Sequence, residues 1–268
     1  MTDTHEPPLV DCHFHLWRRD HPTTDTAWYQ PPTDAPLEEL LALHDQHGIA
    51  LGVVAAASVH GEYLDYVRAA LKAHRRLRAT AILPPNADPY RMQRMQEDGF
   101  VGVRLMWSQS DSIPDTRTGD WRMFLRRVAD MGWHVHLVDR PERFAETIAV
   151  VEAAGPRLVI DHMGDLRSAE GVNHPAFKAI LAAVERGKTW VKLSGRFRNV
   201  TPEVGNEYGH QILRAGGPDR VLWASDWPFS AWEGRVSFEQ VLQEYSEMVP
   251  DAAMRRAIDR TALKFYFG

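Results

Sequence analysis

The eight residues at positions 10–17 read Val10-Asp11-Cys12-His13-Phe14-His15-Leu16-Trp17, an apolar start followed by two histidines two positions apart. Because side chains alternate between the faces of a β-strand, this spacing predicts that His13 and His15 point to one side. Cys12 and Phe14 are predicted to point to the other side. Two adjacent imidazoles can hold one metal ion or polarise one substrate oxygen, although so short a motif also arises by chance.

The stretch around His13 is the first of eight strand-like runs that alternate with helix-like patterns. The strands are predicted at residues 9–15, 50–58, 77–83, 101–106, 133–138, 157–162, 189–194 and 221–226. The helices are predicted from Pro36 to near Gly48, at 62–74, 89–97, 121–131 (with Asp120 as its cap), 141–154 and 176–185, from Thr201-Pro202 onward, and at 237–248 and 251–265. The run ALGVVAAAS at 50–58 is typical of a strand that is buried on both faces.

Eight strand–helix units in 268 residues predict a parallel sheet closed into a (β/α)8 TIM barrel, a fold that takes roughly 250 residues. A doubly wound open sheet is the alternative, but no Gly-x-Gly-x-x-Gly turn follows the first strand. No break in composition indicates a second unit, so residues 1–268 are predicted to form a single domain. Residues 18–34 are rich in Pro, Thr and Asp and predict a long loop of the kind that covers a site.

The composition excludes several function classes. A formal net charge of −5 argues against a general nucleic-acid binder and against a protein held to an acidic membrane surface. The chain has one cysteine, Cys12, so no internal disulfide can form and a reducing compartment is expected. The start MTDTHEPP is polar and no run of about 18 apolar residues follows, so we expect a cytoplasmic protein with no membrane partner. A homo-oligomer is left open.

Polar and ionisable side chains gather at the carboxyl ends of the predicted strands, where barrel enzymes carry their active sites. They are His13 and His15, Ser58 with His60, Arg104 with Trp107, His134 and His136 with Arg140, His162, Ser194 with Arg196 and Arg198, and Asp226. Arg104 is predicted to bind an anion, because an unpaired charge in an apolar strand is costly, and half of a buried ion pair is the alternative. His134 and His136 are either substrate contacts or interior histidines. Arg196 and Arg198 are either substrate contacts or surface residues.

Six segments along the chain form a set: DCHFHLW, VGVRLMW, WHVHLVD, VIDHMGD, WVKLSGRFR and WASDWPF. Together they resemble the amidohydrolase superfamily, most of all the branch of 2-pyrone-4,6-dicarboxylate lactonase and the sugar lactonases. VIDHMG and SDWPF are the most specific parts, and the likeness runs from the first strand to the end of the chain. The resemblance implies that His13, His15, His162 and Asp226 form the reaction centre.

The resemblance implies a hydrolase that opens a lactone of a carboxylated or sugar-acid-like small molecule. Asp226 would take a proton from water as general base. His13, His15 and His162, or a metal that they hold together with Asp226, would stabilise the oxyanion. The further substrate-binding candidates are Arg104, Ser58, His60, Trp107, His136, Arg196 and Arg198. A metal-dependent decarboxylase of the same superfamily is the alternative.

The expected cofactor is one divalent ion, zinc or manganese, which is partly occupied or dispensable, and no organic cofactor is expected. The fourth strand has no lysine to carbamylate, so the two-metal version of the superfamily's site is not expected. After Arg104 no arginine follows until Arg117, and Asp165 stands where the dicarboxylate lactonases would be expected to carry an arginine. These departures argue against a doubly anionic substrate.

Overall fold

The computed structural model describes residues 8–268, which fold into a closed (β/α)8 barrel. Its eight strands are parallel and follow one another around the barrel in chain order. They are β1 Val10–Phe14, β2 Leu51–Val54, β3 Leu77–Ala81, β4 Phe100–Met106, β5 His134–Val138, β6 Arg157–Ile160, β7 Thr189–Leu193 and β8 Val221–Trp223. The predicted barrel is confirmed, with strand ends that differ from the prediction by a few residues.

Nine α-helices in the described part of the chain surround the strands. They are α1 Leu37–Gln46, α2 Asp65–Ala73, α3 Pro89–Asp98, α4 Gly119–Asp130, α5 Phe144–Ala154, α6 Pro175–Glu185, α7 Pro202–Gly216, α8 Phe238–Met248 and α9 Ala252–Tyr266. Residues 18–34, all of them described, contain neither helix nor strand, as predicted. Between residues 8 and 268 no helix is both long and apolar enough to cross a membrane.

Two predicted helix starts have different outcomes. Thr201 caps α7, because its side chain accepts a hydrogen bond from the backbone N–H of Val204 at 3.4 Å, and Pro202 occupies the first turn. The prediction that Asp120 caps α4 is wrong, because the helix begins at Gly119, two residues before the predicted start, and Thr118 precedes it. Asp120 instead lies in the first turn, where its carboxylate faces the positive end of the helix dipole.

The barrel closes between β8 and β1 through backbone hydrogen bonds just beyond the end of β8. The N–H of Asp226 donates to the carbonyl of His13 at 2.9 Å, and the N–H of His15 donates to the carbonyl of Trp227 at 2.8 Å. Closure therefore places the backbone of Asp226 beside both first-strand histidines.

A bulge in β1 interrupts the predicted alternation of its side chains. The register between β1 and β2 shifts between Asp11 and Phe14. Cys12 packs among inward-facing residues of β2, β6 and β8, whereas Phe14 lies against the ring of His44 in α1, outside the barrel. The prediction that Cys12 and Phe14 share a face is therefore wrong, because the bulge adds a residue to the inner side. His13 and His15 do share a face, with their Nε2 atoms 3.2 Å apart.

The end of α9 closes the opposite, amino-terminal end of the barrel. The hydroxyl of Tyr266 lies 3.2 Å from Nε2 of His136. The ring of Phe265 packs against His134, with 5.1 Å between centroids. The interior of the barrel is thus capped from below by aromatic side chains from the last turn of the last helix.

Candidate active site

A cavity of about 370 Å³ opens at the carboxyl ends of the strands. This volume lies in the range of small-molecule binding sites. Its lining combines members of the predicted reaction centre with three arginines and three large aromatic side chains: His15, His162 and Asp226, then Arg104, Arg167 and Arg198, then Trp17, Trp28 and Tyr29. A larger cavity of about 600 Å³ lies at the amino-terminal end of the barrel, and none of the four predicted centre residues lines it.

The structure brings the four predicted centre residues together. His13 Nε2 lies 3.2 Å from His15 Nε2 and 3.8 Å from Asp226 Oδ1. His162 Nε2 lies 3.4 Å from the same oxygen of Asp226. All four side chains are buried. Three imidazoles and one carboxylate therefore converge on a single point at the mouth of the barrel.

Two of these side chains reach the cavity because the backbone turns sharply after their strands. His162 follows β6 and Asp226 follows β8, and both have positive φ angles, 52° and 65°. Residues other than glycine rarely adopt this conformation, and it is concentrated at functional sites. The Oγ of Ser194 lies 2.8 Å from His162 Nδ1 and holds that ring in place.

Asp226 is held by one oxygen and open at the other. Arg198 donates to Oδ2 through Nη2, while Oδ1 has no hydrogen-bond partner among residues 8–268. Burial raises the pKa of Asp226 to about 6, although the neighbouring Arg198 acts to lower it. The carboxyl group is therefore ionised at neutral pH, and it is more basic than an ordinary aspartate.

The three histidines of the centre are neutral at pH 7. Burial lowers the pKa of His13 and His162 well below 6.5, and it lowers the pKa of His15 to about 3. Nδ1 of His15 lies 2.8 Å from the carbonyl oxygen of Ala55. Because a carbonyl can only accept, His15 carries its proton on Nδ1 and presents a lone pair at Nε2.

Lys192 is not among the site residues predicted from the sequence, and it lies beneath the centre. This lysine of β7 is fully buried, and its Nζ lies 2.9 Å from Asp161 Oδ1, 3.0 Å from His13 Nδ1 and 3.1 Å from His136 Nδ1. Burial alone would raise the pKa of Asp161, but Lys192 and the neighbouring His13, His136 and Arg104 keep that pKa well below its usual value. A charge within an apolar strand was the available signal, and the argument applied to Arg104 applies equally to Lys192.

Arg104 is half of a buried ion pair, the second of its two predicted alternatives. Its Nε lies 3.1 Å from Asp161 Oδ2, and its Nη1 donates to the carbonyl of Ala56 at 2.9 Å. The side chain also lines the cavity. Within the described residues, Nη2 has no hydrogen-bond partner, so an anion at this point remains a prediction that the geometry permits.

The remaining substrate-binding candidates are divided between the cavity and its surroundings. Ser58 and Arg198 line the cavity. His136 does not, because it lies deeper in the barrel below Lys192. Arg196 does not, because its Nη1 is bound by Glu247 of α8 at 2.6 Å and by a side chain of α7. The placement of His136 and Arg196 therefore differs from the expectation of direct substrate contact.

His60 and Trp107 also lie outside the cavity lining. The ring of His60 packs against Trp17, and its Nδ1 lies 2.8 Å from the carbonyl of Pro22, so it anchors the loop at residues 18–34. Trp107 packs edge-on against Trp121 of α4, with 5.7 Å between ring centroids. Both side chains support the walls of the site from behind.

The loop at residues 18–34 lies at the mouth of the cavity, as predicted. Trp28 Nε1 donates to Ser58 Oγ at 3.1 Å, and the side chain of Trp28 is 54% exposed. The hydroxyl of Tyr29 bonds the carboxylate of Glu233, which follows β8. The loop thus spans the opening and presents two aromatic faces to it.

Two groups of residues have a geometry that suits a metal ion: His13, His15 and Asp226, and His13, His136 and Asp161. Imidazole nitrogens and carboxylate oxygens are typical zinc ligands. The outer group fits an ion, because Oδ1 of Asp226 and the lone pair of His15 Nε2 face the same point. The inner group does not, because Lys192 Nζ lies within 3.1 Å of an atom of each member.

This chain is similar to known proteins along nearly its whole length. A family model described as amidohydrolase matches residues 10–268. A 4-sulfomuconolactone hydrolase from Hydrogenophaga intermedia is 27% identical over 248 residues, which cover 84% of this chain and 76% of that protein. A 2-pyrone-4,6-dicarboxylate hydrolase from Comamonas testosteroni is 24% identical over 271 residues, which cover 93% of this chain and 86% of that protein.

A solved structure provides a further comparison. The structure of a probable 2-pyrone-4,6-dicarboxylic acid hydrolase from Acinetobacter baumannii, with citric acid bound, superimposes with a TM-score of 0.91 at 22% identity. The likeness covers 97% of this chain and 99% of that one. At this level of identity it shows the shared fold.

Proposed function

The chain belongs to the amidohydrolase family, as the sequence motifs indicated, and we propose that it hydrolyses a small lactone that carries one anionic group. The observation that carries this proposal is the oxygen Oδ1 of Asp226, which lies 3.8 Å from His13 Nε2 and 3.4 Å from His162 Nε2. A basic oxygen beside neutral imidazoles is what the attack of water on an ester carbonyl requires. The names of the two relatives, both hydrolases and one of a lactone, support the same reaction.

Asp226 acts as the general base in this mechanism. A water molecule between Oδ1 and the substrate carbonyl gives its proton to the carboxylate as it attacks the carbonyl carbon. When the tetrahedral intermediate collapses, the ring C–O bond breaks and Asp226 returns the proton to the departing oxygen. Because burial raises the pKa of Asp226 to about 6, the carboxylate is a stronger base than an exposed aspartate and is still ionised at pH 7. Arg198 holds the other oxygen and so orients the group.

The neutral imidazoles act on the developing oxyanion. His13, His15 and His162 lie around the point that Asp226 faces. His15 presents a lone pair there, so the donor to the oxyanion is an N–H of His13 or His162, which stabilises negative charge without reorganisation. A divalent ion held by His13, His15 and Asp226 would supply Lewis-acid polarisation of the carbonyl when bound. Water is excluded from the lower side of the centre, because the barrel interior beneath it is filled by buried side chains.

The charges that line the cavity favour a single anionic group on the substrate. The lining contains three arginines, Arg104, Arg167 and Arg198, and two aspartates, Asp165 and Asp226. Asp165 binds Arg167 through two hydrogen bonds, at 3.0 and 3.3 Å. Arg104 is the remaining cation of the lining. It binds Asp161 below the lining, but Asp161 is shared with Lys192, so one excess positive charge remains, which suits one carboxylate or sulfonate. The aromatic faces of the loop at residues 18–34 suit the flat ring of a lactone.

A panel of lactones tests the proposal. Ring opening is followed with a pH indicator, and the acid product is identified by chromatography. Monoanionic lactones should be hydrolysed with a higher kcat/KM than their methyl esters. Asp226→Asn should lower kcat by roughly 10²–10⁴-fold. Asp219→Asn, a change at an exposed position, is the matched control and should leave kcat unchanged.

Two results would contradict this function. Release of carbon dioxide from an aromatic acid, with no lactone turned over, would identify a decarboxylase instead. Normal turnover of a lactone by Asp226→Asn, in a preparation with an unchanged melting temperature, would remove the proposed base from the mechanism.

A further inference from the structure

The ammonium group of Lys192 has no part in the mechanism above, although it lies next to the centre. It is surrounded by Asp161 Oδ1 at 2.9 Å, His13 Nδ1 at 3.0 Å and His136 Nδ1 at 3.1 Å. The same three residues form the inner of the two groups that have a geometry suited to a metal ion. The side chain therefore lies where a metal ion would otherwise bind.

We propose that the ammonium group of Lys192 takes the place of a metal ion in this inner group, and that it fixes His13 as a hydrogen-bond donor toward the cavity. Lys192 is thus a positioning residue that acts through His13. The inference concerns the same centre but does not depend on the substrate, because protonation sites and metal binding can be measured without turnover.

The hydrogen-bond inventory leads to this assignment. An ammonium group has three N–H donors and no acceptor, so His13 and His136 must each offer a lone pair at Nδ1. Each of these neutral rings then carries its proton on Nε2. The Nε2 proton of His13 points to His15 Nε2, 3.2 Å away. That nitrogen can accept, because His15 donates through Nδ1 to the carbonyl of Ala55.

The same count of hydrogen-bond donors and acceptors affects metal binding by the outer group of His13, His15 and Asp226. A metal ion there would need the lone pair of His13 Nε2, which would move the ring proton to Nδ1. That proton would then face the ammonium group of Lys192 at 3.0 Å. Lys192 therefore lowers the affinity of the outer group for a metal as well as filling the inner group.

The protonation sites test the inference in the unmodified protein. Ring ¹⁵N chemical shifts distinguish the two neutral tautomers of histidine, and the signals can be assigned with His13→Gln, His15→Gln and His136→Gln. In metal-free protein at neutral pH, His13 and His136 should be Nε2–H tautomers and His15 an Nδ1–H tautomer. A proton on Nδ1 of His13 would overturn the assignment.

Cobalt binding to variant proteins tests the inference, because the visible absorption of Co²⁺ changes with the ligands that bind it. Lys192→Ala should bind Co²⁺ at least tenfold more tightly than the wild type, and adding His136→Gln should reduce the gain to the part that comes from the outer group. Lys188→Ala, at an exposed position just before β7, is the control and should match the wild type. Equal affinity in Lys192→Ala and the wild type would overturn the proposal, as would a gain that His136→Gln leaves undiminished. If Lys192→Ala does not fold, the tautomers of the wild type decide the matter.

Discussion

Two His-x-His pairs lie on the inner side of this barrel, and they have different surroundings. His13 lies in β1 and His15 follows its last residue, and both meet Asp226 beside the cavity. His134 and His136 belong to β5, and neither ring lines the cavity. His134 packs instead against Phe265, below. The same three-residue spacing thus gives an open reaction centre in one strand and part of a packed interior in the other.

The difference comes from where each pair stands along its strand. β1 ends at Phe14, so His15 lies just past the carboxyl end, where the loops form the cavity. β5 begins at His134, so that ring lies near the amino-terminal end of the barrel. In a barrel enzyme the carboxyl ends of the strands carry the chemistry and the amino ends carry stability. The spacing of a motif therefore indicates a shared face, while its position along the strand indicates the function.

Among changes to the two histidine pairs, the largest effect is expected from His15→Asn, which breaks the upper pair. Asparagine keeps a donor near the carbonyl of Ala55 but presents no ring nitrogen to the cavity. We expect kcat/KM for the best lactone to fall by roughly 10²–10³-fold, with the melting temperature little changed. Steady-state kinetics and thermal unfolding on the same preparation check this. A loss of less than tenfold would place His15 among the supporting residues.

An effect of intermediate size is expected from lowering the pH, and it distinguishes Asp226 from the histidines of the two pairs. A protonated carboxyl group cannot accept a proton, and the pKa of Asp226 is raised to about 6. We therefore expect kcat/KM to reach its maximum above pH 7. Below pH 6 it should fall by about tenfold per unit. Burial lowers the pKa of His13, His134 and His136 well below 6.5 and that of His15 to about 3, so the fall in kcat/KM below pH 6 is assigned to Asp226.

Rate measurements between pH 5 and 9, with circular dichroism to confirm that the protein stays folded, test this assignment. A flat profile down to pH 5 would show that no group with the raised pKa of Asp226 takes part in the reaction.

The smallest effect is expected from His134→Leu, which alters the lower pair. Its ring is fully buried, and neither nitrogen forms a hydrogen bond of normal geometry with the described residues. Leucine has a similar volume and no polar atom, so kcat and KM should stay within about twofold of the wild type. Kinetics with the same lactone provide the measurement. A loss as large as that of His15→Asn would show that the two pairs work as one unit.

The barrel and most of the centre could be predicted from the sequence because they depend on local patterns. Apolar runs fix the strands, and the closure between β8 and β1 brings Asp226 beside His13. The position of Lys192 could not be predicted in the same way, since its three partners come from three other strands or strand ends. Pairing across a barrel is set by packing, which one sequence does not display.

Arg196 and Arg198 show a second reason for incomplete prediction. They are two positions apart, which in a strand would place them on one face. The chain instead forms a 3₁₀ turn over Arg196–Arg198, and the two side chains diverge. Arg196 reaches the acidic side chains of α8, and Arg198 reaches Asp226. Irregular segments after strands do not follow the periodicity on which the prediction depended.

The contact between Tyr266 and His136 has a consequence for synthesis of the chain on the ribosome. His13, near the start, emerges early, but the hydroxyl that meets His136 from below belongs to the last turn of α9. Domains generally fold as units as they emerge. The row of interior groups from Tyr266 through His136 and Lys192 to His13 is therefore completed only after every residue that lines the cavity has been synthesised. A nascent chain that already contains every residue lining the cavity still lacks Tyr266, the side chain that contacts His136 beneath the centre.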